Sequence, residues 1–176
     1  MSAKEKILQA AIDEFSHFGF EGARVDRIAE KADINKAMIF YYFESKENLY
    51  KSVITRALFD IMPQVQKVIL ESAAPEDLLE ELPRLYFNFF KKNPAVLRII
   101  GLGLLHDPAA ISGLVRDIMR AAPFSPQKMI QDTIRSWYEE GKISEPSPIH
   151  FVLNIIPLCL FSVLGKPLVE AILDNK

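Results

Sequence analysis

Four times in its second half the chain sets a helix-capping residue directly before a proline: Asn93-Pro94, Asp107-Pro108, Ser125-Pro126 and Ser147-Pro148. A proline cannot donate to a β-ladder, and it costs a helix nothing at the first position, where the N–H has no intrahelical partner. Each pair therefore reads as an N-cap followed by the first helical residue. The spacing divides this half into helices near 76–91, 94–105, 108–121, 126–140 and 148–173. No run of β-branched residues alternates with polar ones, and only 7 of the 176 residues are glycine. The expected fold class is all-α. An apolar share of 49% supplies the core for one or two compact units. Pro63, Pro83 and Pro157 fall inside expected helices and mark kinks.

The first half opens with Ser2 and Glu5 at capping-box spacing. Ile7, Leu8, Ala11, Ile12, Phe15 and Phe18 follow on one helical face, which is expected to end at Gly19. Val25, Ile28, Ala29 and Ala32 mark a short second helix, and Asp33 follows it at a turn position where a left-handed residue is often needed. Asn35 is a good N-cap for a third helix, 36–43, and Ser45 for a fourth that carries Leu49, Val53, Ala57, Ile61 and Val65. Residues 25–43 thus have the helix-turn-helix form, whose second helix can enter the major groove. An ordinary helical hairpin in a core shares this pattern. Lys36, Ala37, Phe40 and Tyr41 lie opposite Ile39 and Phe43 on the second helix. Outward aromatics beside a lysine on so short a helix point to a partner surface.

Three stretches carry a family resemblance: Phe18-Gly19-Phe20-Glu21-Gly22, Ile28-Ala29-Glu30-Lys31-Ala32, and Ile39-Phe40-Tyr41-Tyr42-Phe43-Glu44-Ser45-Lys46-Glu47-Asn48-Leu49. Over about residues 4–55 the chain resembles the N-terminal signature of TetR-family regulators, and over the remainder it is similar in helix number and length. The resemblance implies a DNA-binding part at 1–46 and an effector-binding and dimerisation part at 47–176. It implies base readout by Lys36, Ala37 and Phe40 at and after the Asn35 cap, and phosphate contacts from Tyr41, Tyr42 and Lys46. The chain departs from the family where Ala23-Arg24 replaces a hydroxyl pair, so that Arg24 becomes the substitute phosphate ligand. Ala37-Met38 and Phe40 stand where small or hydroxyl residues and a tyrosine are common, which shifts readout toward apolar contact with thymine methyl groups.

The resemblance also implies a small-molecule pocket and a homodimer built from the last two long helices. Tyr86, Phe87, Phe89, Phe90, Ile100, Leu104, Trp137 and Phe151 either line that pocket or fill the core. His150 and Asn154, one turn apart, are its candidate polar groups or a hydrogen-bonded structural pair. Helices 126–140 and 148–173 are more apolar than a small monomer can hide, and the second is apolar on most sides, as suits a central core helix or half of a dimer interface. The resemblance implies the interface, with Ile134, Leu158, Phe161 and Leu164 expected there.

Net charge is −2, and residues 1–56 hold nine Lys and Arg against nine Asp and Glu, so bulk charge argues neither for nor against DNA. The lone Cys159 forms no internal disulfide, and the first residues have no apolar run of signal-peptide length. Residues 149–164 contain His150, Asn154 and Pro157 and are too short to span a bilayer. A cytoplasmic location without membrane attachment is expected. His17, His106 and His150 lie far apart, and no glycine loop of phosphate-binding form is present, so neither metal, cofactor nor enzymatic activity is expected. The rival readings are a helical ligand-binding or scaffold protein that has lost DNA binding, and a small helical protein on a membrane.

Overall fold

The computed structural model describes residues 1–121, 126–144, 147, 161 and 165–173. Its helices are α1 (Ala3–Gly22), α2 (Val25–Ala32), α3 (Lys36–Phe43), α4 (Lys46–Glu71), α5 (Pro75–Lys92), α6 (Pro94–His106), α7 (Pro108–Ala121), α8 (Pro126–Glu139) and α9 (Lys166–Ile172). Among the described residues there is no strand. The expected all-α class is what the chain adopts. Most of the expected 148–173 helix lies outside the described residues.

Local chemistry accounts for the boundaries. Ser2 Oγ accepts from the Glu5 amide at 3.3 Å while the Glu5 carboxylate accepts from the Ser2 amide at 2.7 Å, so two orphan donors of α1 are satisfied reciprocally. Hydrogen bonding from the Ser2 amide, and from its hydroxyl, holds the Glu5 carboxyl below its usual range. Asn35 Oδ1 accepts from the Ala37 amide at 2.8 Å, Ser45 Oγ from Asn48 at 3.0 Å, and Asp107 Oδ1 from Ala110 at 2.9 Å. Asn93 acts differently from the expected N-cap. Its side-chain amide donates back to the Phe89 carbonyl at 2.9 Å, closing the end of α5 rather than opening α6.

Gly19 also differs from expectation, because it interrupts α1 without ending it. Its φ of 65° with ψ of −176° is open to glycine alone, and one further turn, through Gly22, follows the break. Asp33 closes α2 in the left-handed region, at φ 53° and ψ 54°, and its amide reaches the carbonyls of Ala29 and Glu30.

Packing divides the chain into two units, residues 1–60 with 95–121, and 61–94 with 122–176. In the first, α1 packs on α2 and α3, and α2 packs on α3. Its core joins Ile7, Phe15, Ile28, Ile39, Leu49 and Val53 to Ile99, Ile111 and Ile118. Each such side chain stabilises the fold by roughly 1.5–3 kcal/mol relative to leaving it in water. An aromatic trio ties α4 to α1: Phe15 meets Tyr50 edge-on at 5.0 Å, and Phe20 meets it at 5.2 Å. The second unit buries Ile61, Val65, Leu78, Leu82, Phe90, Ile134 and Trp137. Within it, Lys142 Nζ donates to the Ala73 carbonyl at 3.3 Å. Among the described residues no helix is long and apolar enough to cross a membrane.

Candidate nucleic-acid interface

The position of α2 is set by a carboxylate on the buried face of α1. Glu14 is only 5% exposed, and its Oε1 accepts from Arg27 Nε at 2.7 Å and from the Arg24 backbone amide at 2.9 Å, with Arg27 Nη2 in ion-pair contact at 2.7 Å. Arg27 also donates to the Gly22 carbonyl at 2.9 Å and lies 4.1 Å above the Phe18 ring. Glu14 thus anchors the backbone and the Arg27 side chain at the start of α2. Sequence reasoning passed over both residues, although a glutamate between Ala11 and Phe15 on an apolar stripe was a signal. A second pair, Lys31 with Asp13, joins α2 to α1 at the surface.

On α3, Ile39 and Phe43 are buried against the core, which turns the rest of this short helix to solvent. Lys36 and Ala37 are exposed, Phe40 is 41% exposed and Tyr41 is 77% exposed. Tyr41 and Tyr42 meet edge-on with centroids 5.2 Å apart. Lys36 Nζ lies 2.7 Å from Asp26 Oδ1, a solvent-exposed pair. Such pairs contribute about 0–1 kcal/mol, so Lys36 leaves its partner for another anion at little cost.

Two further cations flank this surface. Arg24 projects an exposed guanidinium at the start of α2, where no side chain caps the helix. Lys46 opens α4, donates to the Glu21 carbonyl at 3.3 Å and sits 4.7 Å over the Phe20 ring. Amides at a helix start together with a cation favour a phosphate. Arg24 immediately precedes α2, Asn35, Lys36, Ala37, Phe40, Tyr41 and Tyr42 belong to α3 and the turn that leads into it, and Lys46 opens α4.

Residues 7–53 match the model of the bacterial regulatory proteins of the tetR family. The HTH-type transcriptional regulator RutR of Escherichia coli O157:H7 is 33% identical over 98% of this chain and 79% of its own length. The chain belongs to the TetR family. The HTH-type transcriptional repressor NicS of Pseudomonas putida is 30% identical over 90% of the chain and 74% of its own length. Among solved structures, the FadR regulator of Bacillus subtilis, in complex with stearoyl-CoA, superposes with a TM-score of 0.76 over 93% of this chain and 88% of its own. At 16% identity it speaks for the fold. This TetR-family chain is a helix-turn-helix transcriptional regulator, and the expected all-α fold and family are as the sequence indicated.

The residues expected at the effector pocket of this TetR-family regulator fall in both units. Tyr86 and Phe90 stack at 6.3 Å and Phe89 meets Phe90 edge-on at 5.4 Å, on α5. Phe90 and Trp137 are buried, whereas Phe87 is exposed. Ile100 and Leu104 lie on α6, half-buried and exposed respectively. Of the expected interface residues, Ile134 is buried and Phe161 exposed. His150, Phe151, Asn154, Leu158 and Leu164 lie outside the described residues.

Proposed function

We propose that the protein is a homodimeric repressor that seats two copies of α3 in successive major grooves of its operator and is released by a small, mainly hydrophobic effector. The observation that carries the DNA reading is the division of α3, with Ile39 and Phe43 buried while Lys36, Ala37, Phe40 and Tyr41 face solvent. Lys36, Ala37 and Phe40 read base edges, with Asn35 holding the start of the helix, and Arg24, Tyr41, Tyr42 and Lys46 hold phosphates. Residues 1–46 do the DNA binding, and residues 47–176 bind the effector and a second copy. The effector reading draws support from the residue types expected at the pocket, Tyr86, Phe87, Phe90, Ile100, Leu104, Trp137, His150, Phe151 and Asn154, which are mainly apolar or aromatic and include no Arg or Lys to pair an anionic group. An effector releases DNA only if it binds the non-DNA conformation more tightly, and DNA must then weaken the effector by the same factor. A regulator of this kind works in the cytoplasm, where its operator is.

Phosphate anchors and base readers are separable by experiment. Lys46→Ala is expected to weaken every duplex alike and to reduce the slope of log affinity against log salt by about one unit. Lys36→Ala is expected to relax preference at particular base pairs instead. Competition titrations with specific and random duplexes at several salt concentrations check both. A Lys46→Ala protein with native affinity and salt slope would contradict the assignment.

A further inference from the structure

We propose that the first unit carries a ligand site of its own: a cavity of about 630 Å³ between the Gly19 break of α1, the first turns of α4 and the α6–α7 corner, suited to an apolar, uncharged or cationic molecule that bears a hydrogen-bond acceptor. Its volume falls within the roughly 300–1,000 Å³ of small-molecule sites. Phe20, Leu102, Ile111, Leu114 and the Tyr50 ring make the walls apolar.

Tyr50 supplies the pointer to a ligand. The residue is 9% exposed, yet its hydroxyl makes no hydrogen bond to any described residue. No fully sealed polar side-chain atom among the described residues lacks a partner, so this hydroxyl is open to the cavity that Tyr50 lines. A Cβ at residue 103 would come within 3.2 Å of the hydroxyl and 3.3 Å of Ile111, so Gly103 keeps the space beside it clear. Burial pushes the phenol above its usual range, so it stays protonated and donates. A donor that opens into an apolar cavity, with no partner among the described residues, favours a ligand that brings an acceptor.

The rim decides the charge. It carries Glu21, Glu47 and Asp107 against Lys51, with His106 beside them. The backbone amide of Glu47 itself and the Ser45 hydroxyl hold the Glu47 carboxyl below its usual range and keep it ionised. Anions are repelled at this mouth and an amine is attracted. The cavity also reaches the DNA machinery, because its wall residue Phe20 underlies the Lys46 ammonium and Glu21 provides the carbonyl that Lys46 bonds. A ligand against Phe20 therefore resets Lys46. That consequence rests on the operator-binding reading above, whereas ligand binding itself does not.

The test uses the full chain and three probes on one ring: procaine, a cationic ester; benzocaine, an uncharged ester; and 4-aminobenzoate, an anion. In calorimetric titrations both esters are expected to bind, and the anion at least about tenfold more weakly. Tyr50→Phe keeps the ring in its aromatic cluster and is expected to weaken both esters roughly five- to tenfold. Ala110→Trp, at the exposed mouth on α7, is expected to abolish their binding with the unfolding curve unchanged. Esters that fail to bind at millimolar concentration, an anion that binds as well as they do, or ester binding that neither variant alters would each overturn the site. With DNA, procaine is expected to lower the affinity of the native protein and to leave that of Lys46→Ala unchanged. Ester binding without that change overturns the link to Lys46 alone. A failure of the operator reading would show separately, as absent DNA binding before any probe is added.

Discussion

Phe161→Glu is expected to convert a dimer of about twice 20.0 kDa into a monomer and to lower operator affinity by two orders of magnitude or more. In the single chain Phe161 is 62% exposed, and Leu168, Val169, Ile172 and Leu173 on and just after α9 are exposed as well. Apolar side chains recurring at this spacing on one helix leave a face that water disfavours and a second copy can cover. A glutamate there would be buried without a partner in the dimer, at a cost of several kcal/mol. The loss of DNA affinity follows because one recognition helix alone forfeits the effective concentration that the first half-site lends the second. Sedimentation of native and variant protein at micromolar concentration, with DNA titrations alongside, checks both effects. A native monomer, or a variant that still sediments as a dimer, would contradict this assembly.

The second large effect is on stability. Glu14→Ala is expected to destabilise the fold by about 2–3 kcal/mol, because it strips the buried carboxylate from the Arg27 guanidinium and the Arg24 amide. Arg27 is 40% exposed and can recover some hydration, which keeps the cost below that of breaking a fully buried pair. For a chain of this size the melting temperature should fall by roughly 5–10 °C. Arg27→Ala should cost a similar amount by leaving the buried Glu14 charge with the Arg24 amide alone. The double variant should lose clearly less than the sum of the two. Urea unfolding of the four proteins measures the coupling, and simple additivity would show that the Glu14–Arg27 contact contributes nothing.

What the sequence made legible was decided within a few residues along the chain. The Ser2–Glu5 box, the left-handed Asp33, the Asn35 cap and the Pro94, Pro108 and Pro126 starts are all local chemistry, and each stands where periodicity and capping place it. Asn93 shows the limit of that logic, since its side chain is equally able to close α5 or to open α6 and only the fold selects one. The outward face of α3 was legible for the same local reason. Its electrostatic setting was not, because Lys36–Asp26, Lys46 with the Glu21 carbonyl and Glu14–Arg27 join different helices. The Tyr50 cavity stayed hidden because it gathers residues from α1 and α4 with residues from α6 and α7 more than fifty positions further along the chain.

The most direct test of the repressor account is selection of binding sites by the native protein from a library of random duplex DNA. The account predicts enrichment of an inverted repeat whose half-site centres lie about one helical turn, roughly 34–36 Å, or a multiple of it apart, as two α3 helices in successive major grooves require. A pool that remains random after repeated rounds would contradict it.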